Sequence, residues 1–234
     1  MNIAGLQKMT LLDYPGKVAC TVFLQGCNFR CPFCHNSELL SGNEPPLMTD
    51  EEFFTFLKKR KGLLDAVCVS GGEPTLQRDL ESLLRGIREL GFLIKLDTNG
   101  SRPEVLKKLV TENLVDYVAM DIKNSREQYP ETCGLSKMEM ESIEESIRFL
   151  LSGAVDYEFR TTVVVELHSE GSLLAMGQWL ANISPECKPK RLFLQPFVDR
   201  DTVIFSGLHA PDLQQMKAYR ELLTPFAETV EIRG

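Results

Sequence analysis

The segment Val18-Ala19-Cys20-Thr21-Val22-Phe23-Leu24 leads through Gln25 into Gly26-Cys27-Asn28-Phe29-Arg30-Cys31-Pro32-Phe33-Cys34-His35-Asn36. The first part is an unbroken apolar run, the pattern of a strand buried on both faces. The second part places three cysteines within eight residues, spaced C-x3-C-x2-C and flanked by Gly, Asn, Arg, Pro and His. Cysteines that only fill a core sit in apolar surroundings, and these do not. Two metal readings arise. Structural zinc closes its coordination with four protein groups, and the nearest fourth donor is His35. That histidine adjoins Cys34, and neighbouring residues rarely fold back onto one ion. A cubic [4Fe-4S] cluster held by Cys27, Cys31 and Cys34 has one iron without a protein thiolate. That iron can take another ligand, which separates a catalyst from an electron carrier.

Outward from this loop the chain alternates strand-like and helix-like runs. Strands are expected at residues 18–24, 65–70, 92–96, 115–120, 157–165 and 191–194, with a short final strand at 229–232. Thr49 and Glu52 form a capping-box pattern that opens a helix running to about residue 61. Leu76, Leu80, Leu83, Leu84, Ile87 and Leu90 share one helical face, and Gly91 follows as a stop. Pro103 opens a helix with Val105, Leu106, Leu109 and Val110 turned inward. A second capping-box pattern, Ser136 with Glu139, precedes a helix that ends near Gly153; residues 173–183 and a segment from Pro211 onward also read as helical. Six β-then-α units predict an α/β fold with a parallel sheet and right-handed crossovers. Eight would close a full barrel, and six make a partial one. No internal linker is rich in Gly, Pro or Ser, so residues 1–234 read as one domain, preceded by a short N-terminal segment, residues 1–16, that forms a hairpin.

The cysteine spacing after a strand, with an aromatic Phe33 before the third cysteine, resembles the signature of radical S-adenosylmethionine (SAM) enzymes. The opening Gly5-Leu6-Gln7-Lys8, the turn Asp13-Tyr14-Pro15-Gly16 and the run Gln25 to Asn36 narrow the resemblance to activating enzymes of glycyl radical proteins. Among these the chain looks most like the type serving anaerobic ribonucleoside-triphosphate reductase. The resemblance implies a partial (β/α)6 barrel, a [4Fe-4S] cluster on Cys27, Cys31 and Cys34, and reductive cleavage of SAM to a 5′-deoxyadenosyl radical. It also implies hydrogen abstraction from a glycine of a partner protein, and a one-electron donor such as flavodoxin or ferredoxin.

In parallel α/β sheets ligands bind beyond the carboxyl ends of the strands, and the chemically telling residues collect there. The second strand leads into Ser70-Gly71-Gly72-Glu73-Pro74, the third into Asp97-Thr98-Asn99-Gly100, the fourth into Asp121-Ile122-Lys123 and the sixth into Gln195-Pro196-Phe197. Paired glycines allow close backbone approach to a ligand; the alternative is a plain strand-to-helix turn. The resemblance implies that Gly72 contacts SAM and that Glu73 shapes the loop. Gly72→Val is therefore expected to crowd SAM while leaving the iron content normal. The resemblance also makes Lys123 and Phe33 part of the SAM site, and Asp97, Thr98 and Asp121 contacts of SAM or of a monovalent cation. Gln195 falls where the resembling enzymes carry a His after the last motif strand. Arg160 lies mid-strand, facing either outward or into the mouth to pair with a carboxylate. His168 and His209 sit in polar runs and read as solvated.

Composition sets outer bounds. The formal net charge of −7 disfavours a general nucleic-acid or membrane-surface binder. No apolar run is long enough for a membrane span, and the first residues lack the basic-then-apolar pattern of a signal peptide. Seven cysteines, an odd number, without that signal point to reduced thiols and a cytoplasmic location. Cys20 and Cys68 lie in apolar runs and read as core, whereas Cys133 and Cys187 lie in polar stretches. Two other readings stand beside the activating enzyme: a small-molecule radical SAM enzyme of the 7-carboxy-7-deazaguanine synthase type, and a non-enzymatic iron–sulfur or metal-binding module.

Overall fold

Strand β1, Ile3–Thr10, pairs antiparallel with β2, Ala19–Leu24, so the N-terminal segment adds an edge strand instead of folding onto itself as a separate hairpin. The reversal has a local cause. The Thr10 hydroxyl accepts from the backbone N–H groups of Leu12 and Asp13, Lys17 N–H donates to the Tyr14 carbonyl, and Gly16 takes φ +69°. The computed structural model describes residues 3–41 and 45–233.

The remaining strands are β3 (Ala66–Gly71), β4 (Leu93–Thr98), β5 (Tyr117–Asp121), β6 (Asp156–Val163), β7 (Arg191–Pro196) and β8 (Thr229–Ile232). The helices are α1 (Asp50–Lys59), α2 (Leu80–Glu89), α3 (Pro103–Thr111), α4 (Tyr129–Thr132), α5 (Glu141–Leu151), α6 (Glu170–Ile183) and α7 (Leu213–Leu223). The strands form one eight-stranded, mostly parallel sheet in the order β1 to β8. This unbroken order, with β/α units from β2 to β7, is that of a partial (β/α)6 barrel. The chain divides into two compact units. One comprises Met1–Asn28, Glu38–Thr98 and Arg102–Ala119; the other comprises Phe29–Ser37, Asn99–Ser101 and Met120–Gly234.

In the first unit the parallel ladders run from Ala19↔Ala66 to Leu24↔Gly71 and from Ala66↔Leu93 to Val69↔Leu96. Because side chains alternate along a strand, Val22, Val69 and Leu96 share one face, while Thr21, Cys68 and Lys95 share the other. Helix α2 packs on β4 and buries Leu80, Leu83, Leu84 and Ile87, each contributing about 2 kcal/mol of burial. The sequence placed Leu76 on that helix, but Pro74–Leu76 form a separate 3-10 turn. Helix α1 carries the expected capping box: Thr49 Oγ1 accepts from Glu52 N–H at 3.2 Å, and Glu52 Oε2 accepts from Thr49 N–H at 2.8 Å. Thr49→Ala is expected to lower stability by about 1 kcal/mol, read from urea unfolding of the purified protein.

In the second unit β6 pairs parallel with β7 from Phe159↔Leu192 to Val163↔Pro196, and β7 with β8 from Arg191↔Thr229 to Leu194↔Ile232. Glu158, fully buried, takes two bonds from Arg233, whose guanidinium lies 3.6 Å from the Phe193 ring centre. The Ser136–Glu139 pattern does not cap a helix. Helix α5 begins at Glu141, with Met140 at its N-cap and no side-chain cap bond. The reason is the burial phase: Met140, Ile143, Ile147 and Leu150 form the inward stripe, which begins only at Met140. Functional caps occur instead at Ser169 with Ser172 for α6 and at Asp212 with Gln215 for α7.

Candidate functional site

In the first unit the loop after β2 is held by backbone bonds. Gly26 takes φ +84° and donates to the Leu39 carbonyl at 2.6 Å, while its own carbonyl accepts from Glu73 N–H at 2.8 Å. The paired glycines after β3 belong to this contact. A Cβ on Gly71 would fall 2.2 Å from the Leu24 carbonyl oxygen, and one on Gly72 would fall 2.1 Å from that of Gly26. Both positions require glycine because two backbones meet there. Glu73 is fully buried and accepts from Thr75 N–H at 3.1 Å, from the Thr75 hydroxyl at 2.5 Å and from the Thr98 hydroxyl at 2.8 Å. It fixes the loop, and it also engages Thr98. Asp97 Oδ2 accepts from the Ser70 hydroxyl at 3.0 Å, and Oδ1 meets Lys95 Nζ at 2.5 Å. Gln25, immediately before the cysteine loop, is buried, and its Oε1 has no hydrogen-bond partner among the described residues.

In the second unit Cys34 N–H closes a turn onto the Cys31 carbonyl at 3.1 Å, and Arg30 N–H donates to the Cys133 carbonyl at 2.8 Å. Cys133 is buried, and its thiol hydrogen-bonds that of Cys31. This bond pulls the Cys31 thiol down to about 7, against its burial and with help from the Lys123 ammonium. Burial pushes Cys34 up. Phe33 is buried with Val164 and Phe197, and Lys123 Nζ lies 5.8 Å from its ring centre. Asp121 joins two cations: Oδ1 accepts from Arg160 Nε and Oδ2 from Lys123 Nζ, both at 3.0 Å. Burial alone would lower the Lys123 ammonium, but Asp121 and the Cys31 sulfur outweigh it and hold it well above its usual value. Arg160 therefore faces inward onto a carboxylate. Gln195 is half-buried near the end of β7, in register with Thr162.

His168 differs from the sequence expectation. It is buried; its Nε2 contacts the Lys123 carbonyl at 2.8 Å and its Nδ1 lies 3.1 Å from Val164 N. Burial lowers its basicity, so it is a neutral strut holding the chain after Lys123. The His35 ring stacks on Phe197, and its Nε2 is bonded to the Val198 carbonyl at 2.7 Å. Sequence reading also missed Lys95 and the thiol contact of Cys133. A lysine two residues before Asp97 lies on the same strand face, which was the available signal for the first. For the second the only signal was the place of Cys133 in a polar, loop-like stretch, because it meets Cys31 through tertiary structure.

The second unit offers a thiol disposed to ionise and a carboxylate–ammonium–guanidinium group, and the first offers a fixed carboxylate. Residues 21–166 match the family described as the Radical SAM superfamily. A Methanocaldococcus jannaschii protein provisionally named a glycyl-radical enzyme activating enzyme is 32% identical, over 99% of this chain and 95% of that protein. The pyruvate formate-lyase-activating enzyme of Clostridium pasteurianum is 34% identical over 53% of this chain and 52% of that enzyme. Matches to 7-carboxy-7-deazaguanine synthases also occur. The crystal structure of Streptococcus suis SuiB bound to S-adenosylmethionine shares the fold, with a TM-score of 0.67 at 14% identity; it covers 92% of this chain but 52% of SuiB, so this chain spans about half that protein's length.

Proposed function

The chain belongs to the radical SAM superfamily, and from that premise we propose that it is an activating enzyme that generates a glycyl radical on a partner protein, anaerobic ribonucleoside-triphosphate reductase. The observation supporting the activating role is the 32% identity that extends over nearly all of this chain and of a protein provisionally named a glycyl-radical enzyme activating enzyme; the choice of partner rests on the sequence resemblance. A one-electron donor of the flavodoxin or ferredoxin kind and a cytoplasmic setting complete the proposal.

The donor types in the cysteine loop suit the cofactors that the family uses. Cys27, Cys31 and Cys34 are the thiols of one loop, partly exposed and outside any disulfide, in contrast to the buried Cys20, Cys68 and Cys133. The bond of His35 to Val198 supports three protein ligands over four. The orphaned Gln25 oxygen suits a bound group that brings a hydrogen-bond donor. When bound, the cluster and SAM would supply the radical chemistry of hydrogen-atom abstraction.

The chain's own residues do the holding. Cys27, Cys31 and Cys34 would carry the cluster. Lys123, kept protonated by Asp121, offers an ammonium to the SAM carboxylate. Arg160 neutralises the charge that Asp121 retains. In the first unit Gly72, Asp97 and Thr98 are the residues assigned to SAM, and in the second unit Phe33 and Gln195 are.

Mixing the reconstituted enzyme with reductant, SAM and a partner carrying deuterated glycine tests the reading. A doublet glycyl radical signal on the partner is expected, with deuterium recovered in 5′-deoxyadenosine. Deuterium arriving only from a small metabolite would replace the activating role with a small-molecule one.

A further inference from the structure

The resemblance that supplied the SAM site also implies a monovalent cation on Asp97, Thr98 and Asp121. The side chains do not fit that expectation. The Thr98 hydroxyl donates to buried Glu73 at 2.8 Å. Asp97 Oδ2 takes the Ser70 hydroxyl at 3.0 Å, and Oδ1 takes Lys95 Nζ at 2.5 Å. Asp121 carries Lys123 on one oxygen and Arg160 on the other.

Lys95 is the unusual member. Its side chain is 2% exposed, against 16% for Asp97. A lysine so buried is rare unless it is paired. Its place follows from the sheet. Lys95 stands in register with Cys68 on the face opposite Val69 and Leu96, and Asp97 follows on that same face. A sodium or potassium ion at the Asp97 oxygen would lie against a second full positive charge with little water to screen it, and the two would repel. One positive charge is what this carboxylate needs, and the ammonium already provides it.

We infer that Lys95 is a built-in monovalent cation: its ammonium neutralises and orients Asp97, so no free sodium or potassium ion is recruited to that carboxylate. Lys95 is a positioning residue acting through Asp97. Its relevance to catalysis rests on the SAM reading above, but the ion pair does not.

The test uses metal-free protein, so it is independent of cluster and SAM. Wild-type protein should unfold at the same temperature in potassium chloride and in choline chloride of equal ionic strength. Lys95→Met keeps the length of the side chain and removes its charge, leaving Asp97 uncompensated. Its unfolding temperature should rise saturably with potassium, and thallium-205 resonance should show a thallium site that potassium displaces. Lys95→Met combined with Asp97→Asn should lose both effects. Saturable, potassium-displaceable thallium binding to wild type with the affinity of Lys95→Met would overturn the inference. So would a folded Lys95→Met protein indifferent to potassium. Should the variant fail to fold, the wild-type thallium titration decides alone: no saturable site upholds the inference, and a saturable one refutes it. In reconstituted enzyme, the SAM-induced change in the electron paramagnetic resonance spectrum should be the same in both salts. Absence of that change in either salt would instead count against the SAM reading.

Discussion

Alanine at Cys27, Cys31 or Cys34, one at a time, should take iron from about four per chain in the anaerobically reconstituted protein to background, and SAM cleavage with it. Alanine at Cys68 or Cys187 should leave iron uptake intact. The difference lies first in place: Cys27, Cys31 and Cys34 share one partly exposed loop, so that Cys34, though raised by burial as well, stays within reach of added iron, whereas Cys68 is fully buried in β3. Only a thiolate ligates iron, and burial pushes Cys20 up to about 12 and raises Cys68 as well. These thiols stay protonated in the core. Cys187 is exposed in a turn closed onto Ser184. Cys31 is the opposite case, drawn down to about 7 by the Cys133 thiol and the Lys123 ammonium. Iron and sulfide analysis with visible absorption reads the result. Stoichiometric zinc with no iron uptake would contradict the assignment.

A methyl group at Gly72 is the second severe change. The Cβ of Gly72→Ala would lie 2.1 Å from the Gly26 oxygen, 2.6 Å from its carbon and 3.2 Å from Cys27 N. All three are backbone atoms, so no side-chain rotation relieves the clash. The Glu73 N–H bond to the Gly26 carbonyl, 2.8 Å long, spans the same contact and would be strained with it. We expect a loss of about 3 kcal/mol or more, measured by denaturant unfolding, and reduced iron uptake, because the displaced atoms adjoin Cys27. This differs from the sequence expectation that a Gly72 variant keeps normal iron. A glycine pair reads as access for a ligand, whereas the nearest neighbour of Gly72 is the cysteine loop itself. Gly171→Ala in α6, whose nearest contact is the Ser169 hydroxyl at 3.7 Å, serves as a control; it should be neutral or stabilising by about 0.5–1 kcal/mol.

These cases show what could be read in advance. Buried parallel strands such as Ala19–Leu24 and Ala66–Gly71 are nearly pure apolar runs, so the β/α alternation, and with it the fold, was legible. The strand-end motifs were legible too, because the fold places them at carboxyl termini. Tertiary choices were not. The pairing of β1 with β2 depends on the Thr10 and Gly16 turn geometry. The Ser136 pattern failed because the burial stripe of α5 starts later. His168 looked solvated because its neighbours in sequence are polar, yet the Lys123 carbonyl and Val164 enclose it. Lys95 was legible in principle, because strand alternation puts it on the same face as Asp97, but its burial was not.

The most direct measurement of the central claim is the electron paramagnetic resonance spectrum of the anaerobically reduced, reconstituted protein, recorded without and with SAM. Three cysteine ligands leave one iron open to SAM, so the account predicts a changed [4Fe-4S] signal on SAM addition, accompanied by formation of 5′-deoxyadenosine. A reduced-cluster spectrum that SAM leaves unaltered, with no 5′-deoxyadenosine formed, would contradict it.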